Sequence, residues 1–306
     1  MNMSIILRQP YSFCQQGRRS NQEDARYPDC DAPDAATSTF VVCDGVGGQD
    51  KGEVASRTVA DAMGTYMKGR GAEKNLSIAD FGAVLADAFR SLERKMNDDT
   101  RDMATTMTFV HVNADSVLCA HIGDSRIYHV RPGVGIMYRS DDHSLVNALV
   151  HSGNLTPQEA INHPQSNVIT RCMGYVPKGN RKPDATTIRI EDVAAGDYFF
   201  MCTDGVLHRM TDDDLVEILS SDVSDKEKIA RIARMSKDSS DNNTAYLVGV
   251  DQVITDNDVT EVEECKDETG SVTAPIQRPN VMSKEVAAGK NHTSSRVSEF
   301  FKKLFS

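Results

Sequence analysis

Aspartate follows an apolar run and precedes glycine twice in this sequence. Phe40-Val-Val-Cys43 ends in Asp44-Gly45, and Phe199-Phe-Met-Cys-Thr203 ends in Asp204-Gly205. A third run, Cys119-Ala-His-Ile122, ends in Gly123-Asp124-Ser125-Arg126. Asp241-Asn242-Asn243 stands just before an apolar stretch that opens at Thr244, and Arg19-Ser-Asn-Gln-Glu23-Asp24 follows an early strand-like segment. Carboxylates gathered at one end of a sheet repel one another unless cations compensate. Hard oxygen donors favour Mg²⁺ or Mn²⁺. A single Asp-Gly is more often an ordinary turn. The joint pattern carries the metal reading, because Gly45, Gly47 and Gly48 would let a backbone carbonyl approach an ion closely.

The elements that must position these residues alternate between two periodicities. Thr39–Cys43, Thr105–Asn113, Ser116–Ile122, Arg126–Val130, Thr186–Ile190, Tyr198–Thr203 and Thr244–Val250 are rich in Val, Ile, Phe, Tyr and Thr and end at Gly, Asp or Asn, which predicts strands. Lys51–Lys68 and Ser77–Met96 carry apolar residues at i, i+3, i+4 spacing, which predicts two long helices. Thr211–Leu219 opens with Thr-Asp-Asp-Asp, a cap plus first-turn acids suited to a helix N-terminus, and Lys226–Met235 reads as a further short helix. Strands, two helices, a run of strands, then more strands and helices is not the alternation of a parallel sheet. It predicts an α+β sandwich with mainly antiparallel sheets and helices outside. Asp141–Gly174 interrupts the strands with short helical stretches, Gly153, Pro157 and Pro164, and reads as an inserted flap.

Composition bounds the partners. The 306 residues carry 34 Lys and Arg against 45 Asp and Glu, a net charge of −11 that argues against nucleic acid or an anionic membrane as the main partner. Seven scattered cysteines, with no CxxC pair, argue against a disulfide framework or a thiolate zinc site, and the N-terminus lacks a secretory pattern, so the expectation is a cytoplasmic protein. From residue 251 onward the periodicity stops. Residues 251–268 hold eight acids and one Lys, and residues 269–295 are rich in Ser, Thr, Pro, Gly and Asn. Val297, Phe300, Phe301, Leu304 and Phe305 then recur at helical spacing, with Lys302 and Lys303 on the other face. A short helix of that kind is marginal alone. Docking on protein is favoured over membrane contact, because the patch carries few basic residues.

Taken together, Arg19-x3-Glu23-Asp24, Asp44-Gly45-x-Gly47-Gly48-x3-Gly52-Glu53, Thr105-Thr106, Gly123-Asp124-Ser125-Arg126, Asp142-His143-Ser144, Thr203-Asp204-Gly205 and Asp241-Asn242-x-Thr244 form an ordered set. It closely resembles the metal-dependent serine/threonine protein phosphatases of type 2C, the PPM family, and most of all the bacterial stand-alone members. The match covers roughly residues 10 to 250. The resemblance implies a four-layer α/β/β/α sandwich with a binuclear Mn²⁺ or Mg²⁺ centre at one end, and a third, weaker ion in bacterial members. Carried over by position, Asp44 would bridge the two ions. The Gly45 carbonyl and, through water, Glu23 would hold one, and Asp204 and Asp241 the other. Asp24 would belong to the same shell, and Asp124 would serve the third ion. Arg19 would bind phosphate oxygens through its planar donor fork. The implied reaction is in-line attack of a hydroxide bridging the two metals on phosphoserine or phosphothreonine, opposing a Ser/Thr kinase in bacterial signalling.

Val46 departs from the eukaryotic pattern, where a His stands. An apolar residue there matches bacterial members and cannot protonate a leaving group. His143 reads as a hydrogen-bonded tie between flap and core rather than a catalyst, while His163-Pro164 and Arg171-Cys-Met-Gly174 resemble the family's flap positions, which implies a part in shaping substrate access. The expected organisation is a catalytic domain over 1–252 with its flap at about 141–176, an acidic and polar linker over 253–295 and a short amphipathic helix over 296–306. The expected partners are phosphorylated proteins and a cognate kinase, with the chain itself a monomer. A rival reading is a catalytically weak phosphoprotein-binding regulator of the same fold; every ligand position being filled argues against it.

Overall fold

The computed structural model describes residues 3–46, 51–70, 75–97, 102–161, 163–176, 180 and 182–255. In chain order the strands and helices are β1 (Met3–Leu7), β2 (Tyr11–Gln15), β3 (Ala25–Tyr27), β4 (Thr39–Cys43), β5 (Gly45–Val46), α1 (Gly52–Arg70), α2 (Ile78–Glu93), β6 (Ala104–Thr105), β7 (Met107–Val112), β8 (Val117–Ile122), β9 (Arg126–Arg131) and β10 (Gly135–Arg139). The flap helices α3 (Leu145–His151) and α4 (Pro157–Ile161) come next. They are followed by β11 (Thr186–Ile190), β12 (Tyr198–Cys202), α5 (Asp204–Leu207), α6 (Asp212–Ser220), α7 (Asp225–Ser236) and β13 (Asn243–Thr255).

Two large antiparallel sheets result, and β5 pairs with β6 in a separate two-stranded ribbon. One runs β11-β8-β7-β4-β3; the other runs β1-β13-β12-β9-β10, with β2 beside the first half of β13. Every residue of β4, β7, β8 and β12 is buried. That is why these strands read as unbroken apolar runs: both of their faces are covered. Alternate residues of β4 face opposite ways. Val41 and Cys43 pack with Val59, Met63, Val84 and Phe89 of α1 and α2. Phe40 and Val42 meet Phe199, Met201, Tyr246 and Val248 in the gap between the sheets. On the far side Tyr128, Phe200 and Leu247 pack against Leu215, Leu219, Ile229 and Ile232 of α6 and α7. Three apolar layers thus separate four layers of secondary structure, the expected α/β/β/α sandwich. Each large side chain removed from water in this way contributes about 2 kcal/mol.

Local chemistry sets the helix starts. Ser77 accepts from the Asp80 N–H, and Ser224 from the Glu227 N–H. Thr211 and Asp214 close a reciprocal capping box, so the Thr-Asp-Asp-Asp run begins α6 as its sequence predicts. Two strands differ from the sequence expectation. The stretch Thr105–Asn113 breaks at Thr106, whose N–H donates to the Asp44 carbonyl (2.8 Å) while its Oγ1 accepts from the Asp44 N–H (2.9 Å). Thr106 therefore serves the loop after β4 instead of a ladder. The last strand runs through Thr255 instead of stopping at Val250, because β1 pairs with its far half. The flap region contains α3 and α4, is closed on itself by the Ser144–Ile169 bridge and is joined to the body by the Thr105–Met173 bridge. Gly47, Gly48, all of the 253–295 segment beyond Thr255, and the 296–306 helix lie outside the described residues.

Candidate metal centre

The C-terminal ends of β4, β8 and β12 meet the start of β13 and the loop before β3 at one end of the sandwich. A cleft of about 190 Å³ opens there, lined by Arg19, Glu23, Asp44, Gly45, Asp124, Asp204 and Asp241, with Asn167 and Ile169 of the flap on its rim. Six of the seven acids and glycine singled out from sequence therefore share one cleft with Arg19. The seventh, Asp24, lies beneath it, 3 % exposed.

Each side chain is held by its own local arrangement. Asp44 follows β4, with its backbone clamped by Thr106 as described and by Thr105 Oγ1 (2.8 Å), which donates to its carbonyl. Gly45 donates to the Glu23 carbonyl (3.1 Å), and a Cβ at Gly45 would strike the Gly52 backbone and that same carbonyl. Only glycine permits this crossing. Asp204 is the first residue of α5, which Thr203 precedes as N-cap. A Cβ at Gly205 would collide with the Asn242 carbonyl, so the β12–α5 turn is fitted directly to the start of β13. Gly123, at φ 108°, turns the chain sharply to present Asp124.

Asn242 ties the rim together. Its Oδ1 accepts from the Glu23 N–H, and its Nδ2 donates to the Gln16 and Asn21 carbonyls, each at 2.8 Å. The loop carrying Arg19 and Glu23 is thereby fixed to the turn before β13 that carries Asp241. Arg126 makes a bidentate ion pair with Asp142, 2.7 Å on both arms, joining the Asp124 turn to the root of the flap. His143 completes that root. Its Nδ1 accepts from the Gly123 N–H (3.1 Å), its Nε2 meets Thr186 Oγ1 (2.9 Å), and its ring stacks on His121 at 4.5 Å. Burial holds its pKa down to about 4, so the ring is neutral and works as a tie. Asn242 and Arg126 fall inside the sequence motifs, but their clamping roles depend on partners distant in sequence.

The electrostatics show the strain of crowding acids. Burial, then repulsion from Asp24, Asp204, Asp124 and Asp241, pushes the Asp44 carboxyl well above its usual range. Burial first, then Asp204 and Asp142, takes Asp124 up to about 7. Asp24 is taken up to about 8 by burial, with Asp204 and Asp241 adding repulsion against the hydroxyl that Thr203 donates. Asp204 is also raised, chiefly by burial, with His208 opposing. Asp24 Oδ1 and Asp204 Oδ1 are buried without a hydrogen-bond partner.

Among the described residues no three acidic, His or Cys side chains close around one point at ligand distance. Arg19 Nη2 holds Asp241 Oδ2 at 2.7 Å, so one carboxylate of the cleft is already turned toward the guanidinium. The donor set still suits a hard divalent cation. It is all oxygen, it includes two orphaned buried carboxylate oxygens, and positive charge would relieve the repulsion that raises Asp44, Asp24 and Asp124. A larger pocket, about 440 Å³ between the 27–39 segment and α1, contains one acid, Asp34, so donor chemistry rather than volume identifies the site.

The comparisons point the same way. A family model described as Protein phosphatase 2C matches residues 17–242. Protein phosphatase PhpP of Streptococcus pneumoniae is 29 % identical over 239 residues, covering 77 % of this chain and 94 % of that protein. A crystal structure of the Mycobacterium tuberculosis serine/threonine phosphatase PstP/Ppp is 27 % identical, with a TM-score of 0.69, covering 81 % of this chain and all of that one. A PstP catalytic domain in complex with two manganese ions is 25 % identical, with a TM-score of 0.66 over 81 % of this chain.

Proposed function

The chain belongs to the protein phosphatase 2C family, and from that premise we propose that it hydrolyses phosphoserine and phosphothreonine in proteins, with two Mn²⁺ or Mg²⁺ ions held in the acidic cleft. The observation that carries the reading is the convergence of Glu23, Asp44, Asp124, Asp204 and Asp241 with Arg19 on one cleft. Asp44, Asp204, Asp241 and the Gly45 carbonyl are the groups that would hold the ions, with Glu23 beside them and Asp124 toward a third. Asp24, lying beneath, sets their charge through its own protonation and its bond to Thr203. When bound, two such ions lower the pKa of water to near neutrality and draw charge off phosphoryl oxygens.

The chain's own residues do the rest. Arg19 is 54 % exposed at the rim, where its fork can leave Asp241 and take phosphate oxygens. Thr105, Thr106 and Ser125 hold the Asp44 backbone and the Asp124 turn in fixed relation, Thr106 Oγ1 meeting Ser125 Oγ at 2.8 Å. Such preorganisation removes the need for reorganisation in the transition state. No thiol takes part. Cys43, Cys119 and Cys202 are fully buried, and burial pushes each thiol far up. Val46 on the cleft wall carries no proton, so the leaving oxygen takes its proton from solvent or another group in the cleft. We assign the activity to residues 1–252 and, in the cell, opposition to a cognate Ser/Thr kinase. Phosphate release from a phosphothreonine peptide tests the reading: it should require Mn²⁺ or Mg²⁺, and undiminished turnover in EDTA would overturn it.

A further inference from the structure

A second depression, of about 430 Å³, adjoins the acidic cleft and is walled by Leu207, His208, Arg209, Met210, Thr211 and Met235. It lies between the end of α5, the loop into α6 and the last turn of α7. The two hollows are lined by different residues and are linked by one contact. His208 Nε2 stands 3.6 Å from Asp204 Oδ2, and Asp204 lines the acidic cleft.

The depression has an apolar floor and a charged rim. Met210 is 5 % exposed at its base and Leu207 is partly covered, while Met235 stands 38 % exposed at its edge. An unbranched thioether adapts to varied apolar partners. Arg209 is exposed on the rim and, among the described residues, makes no ion pair. Its guanidinium is therefore free to meet an incoming acid. Asp204 and His208 are four residues apart on a helix, an axial rise of about 6 Å. An extended polypeptide covers that span in roughly two residues.

We propose that this depression receives the substrate polypeptide beside the phosphorylated residue. It takes a large apolar side chain two or three residues from the phosphate, with an acidic neighbour meeting Arg209. The assignment rests on the phosphatase reading of the adjoining cleft. A polypeptide is the occupant that spans both hollows, because the phosphate must sit among the acids while the groove begins one helical turn away. A small phosphate ester fills only the cleft. The groove therefore sets peptide preference and leaves the chemistry of small esters alone.

The test uses the full chain with Mn²⁺ and two phosphothreonine peptides that differ only in Leu against Ser at the flanking position, each with an adjacent Glu. Covering part of a leucine gives a preference of about tenfold in kcat/KM for the Leu peptide. Met235→Asp should collapse that preference. Arg209→Glu should raise KM for both peptides. Both variants should turn over p-nitrophenyl phosphate as the unaltered protein does. Equal turnover of the two peptides by the unaltered protein, or a preference that survives Met235→Asp, overturns the groove while p-nitrophenyl phosphate turnover preserves the phosphatase reading. Absence of p-nitrophenyl phosphate turnover with Mn²⁺ rejects the phosphatase reading itself. A sedimentation mass that falls on Met235→Asp would assign the groove to a second copy of the chain and overturn the proposal.

Discussion

Replacing Asp24 by Asn should stabilise the metal-free protein, and by more as the pH rises. Asp24 is 3 % exposed, accepts one hydrogen bond from Thr203 Oγ1 at 3.0 Å, and leaves Oδ1 unpartnered. Its pKa is raised from 3.8 to about 8 by burial and by Asp204 and Asp241. A folded pKa above the unfolded one means the folded chain binds this proton more tightly. The associated stability is complete below the unfolded pKa near 4 and is lost as pH rises through about 8. A carboxyl held near 8 instead of 3.8 corresponds to roughly 6 kcal/mol at most. The neighbouring acids can take up protons and relieve part of the repulsion, so the expected gain from Asp24→Asn is about 2–3 kcal/mol above pH 8. That is roughly 5–10 °C in Tm for a domain of this size. The gain should shrink toward zero as pH falls through about 4, because the unfolded carboxyl then takes up its proton as well. Scanning calorimetry in EDTA at pH 4.5, 6 and 9 measures it. Saturating Mn²⁺ should shrink the advantage, since cations relieve the same repulsion. A variant less stable than the unaltered protein at pH 9, or a difference independent of pH, would refute the assignment of Asp24 as a strained buried acid.

Two further substitutions separate binding from scaffolding. Arg19→Ala removes an exposed guanidinium, so it should leave the unfolding midpoint unchanged and lower kcat/KM on a phosphopeptide by about 10–100-fold, the worth of one or two charge-assisted hydrogen bonds. Arg19→Lys should recover only part, having lost the planar fork, and full recovery would contradict bidentate phosphate binding. Arg126→Gln leaves Asp142 without its bidentate partner at a largely buried root, and should cost about 2–3 kcal/mol in urea denaturation. The same variant should speed proteolytic nicking within 141–176, and an unchanged midpoint would show that the flap root does not depend on this pair.

Much of this arrangement was legible before any coordinates, for a physical reason. Strands covered on both faces, such as β4 and β12, must be continuously apolar, and an Asp-Gly that ends them stands out. The edge strands β1 and β10 are half-covered and mix polar with apolar residues, so they carry no comparable signal. The break at Thr106 was equally hidden, because a Thr bonded to a distant backbone looks like a Thr in a ladder. Local sequence also placed Asp24 with the cleft acids, and only the fold puts it underneath. The clamps made by Asn242 and by Arg126 join segments up to 226 residues apart, a relation that spacing along the chain does not encode.

The central claim is that the acids around Asp44 hold the cations on which phosphate release depends. Mn²⁺ binding by titration calorimetry, run beside phosphothreonine-peptide turnover on the unaltered chain and on Asp44→Asn, tests it most directly. The account predicts that the unaltered chain binds at least two Mn²⁺ and turns over. It predicts that Asp44→Asn stays folded, loses the tight Mn²⁺ uptake and falls at least a thousandfold in kcat, about 4 kcal/mol of barrier. Retained turnover by Asp44→Asn, or unaltered Mn²⁺ uptake with turnover lost, would contradict it.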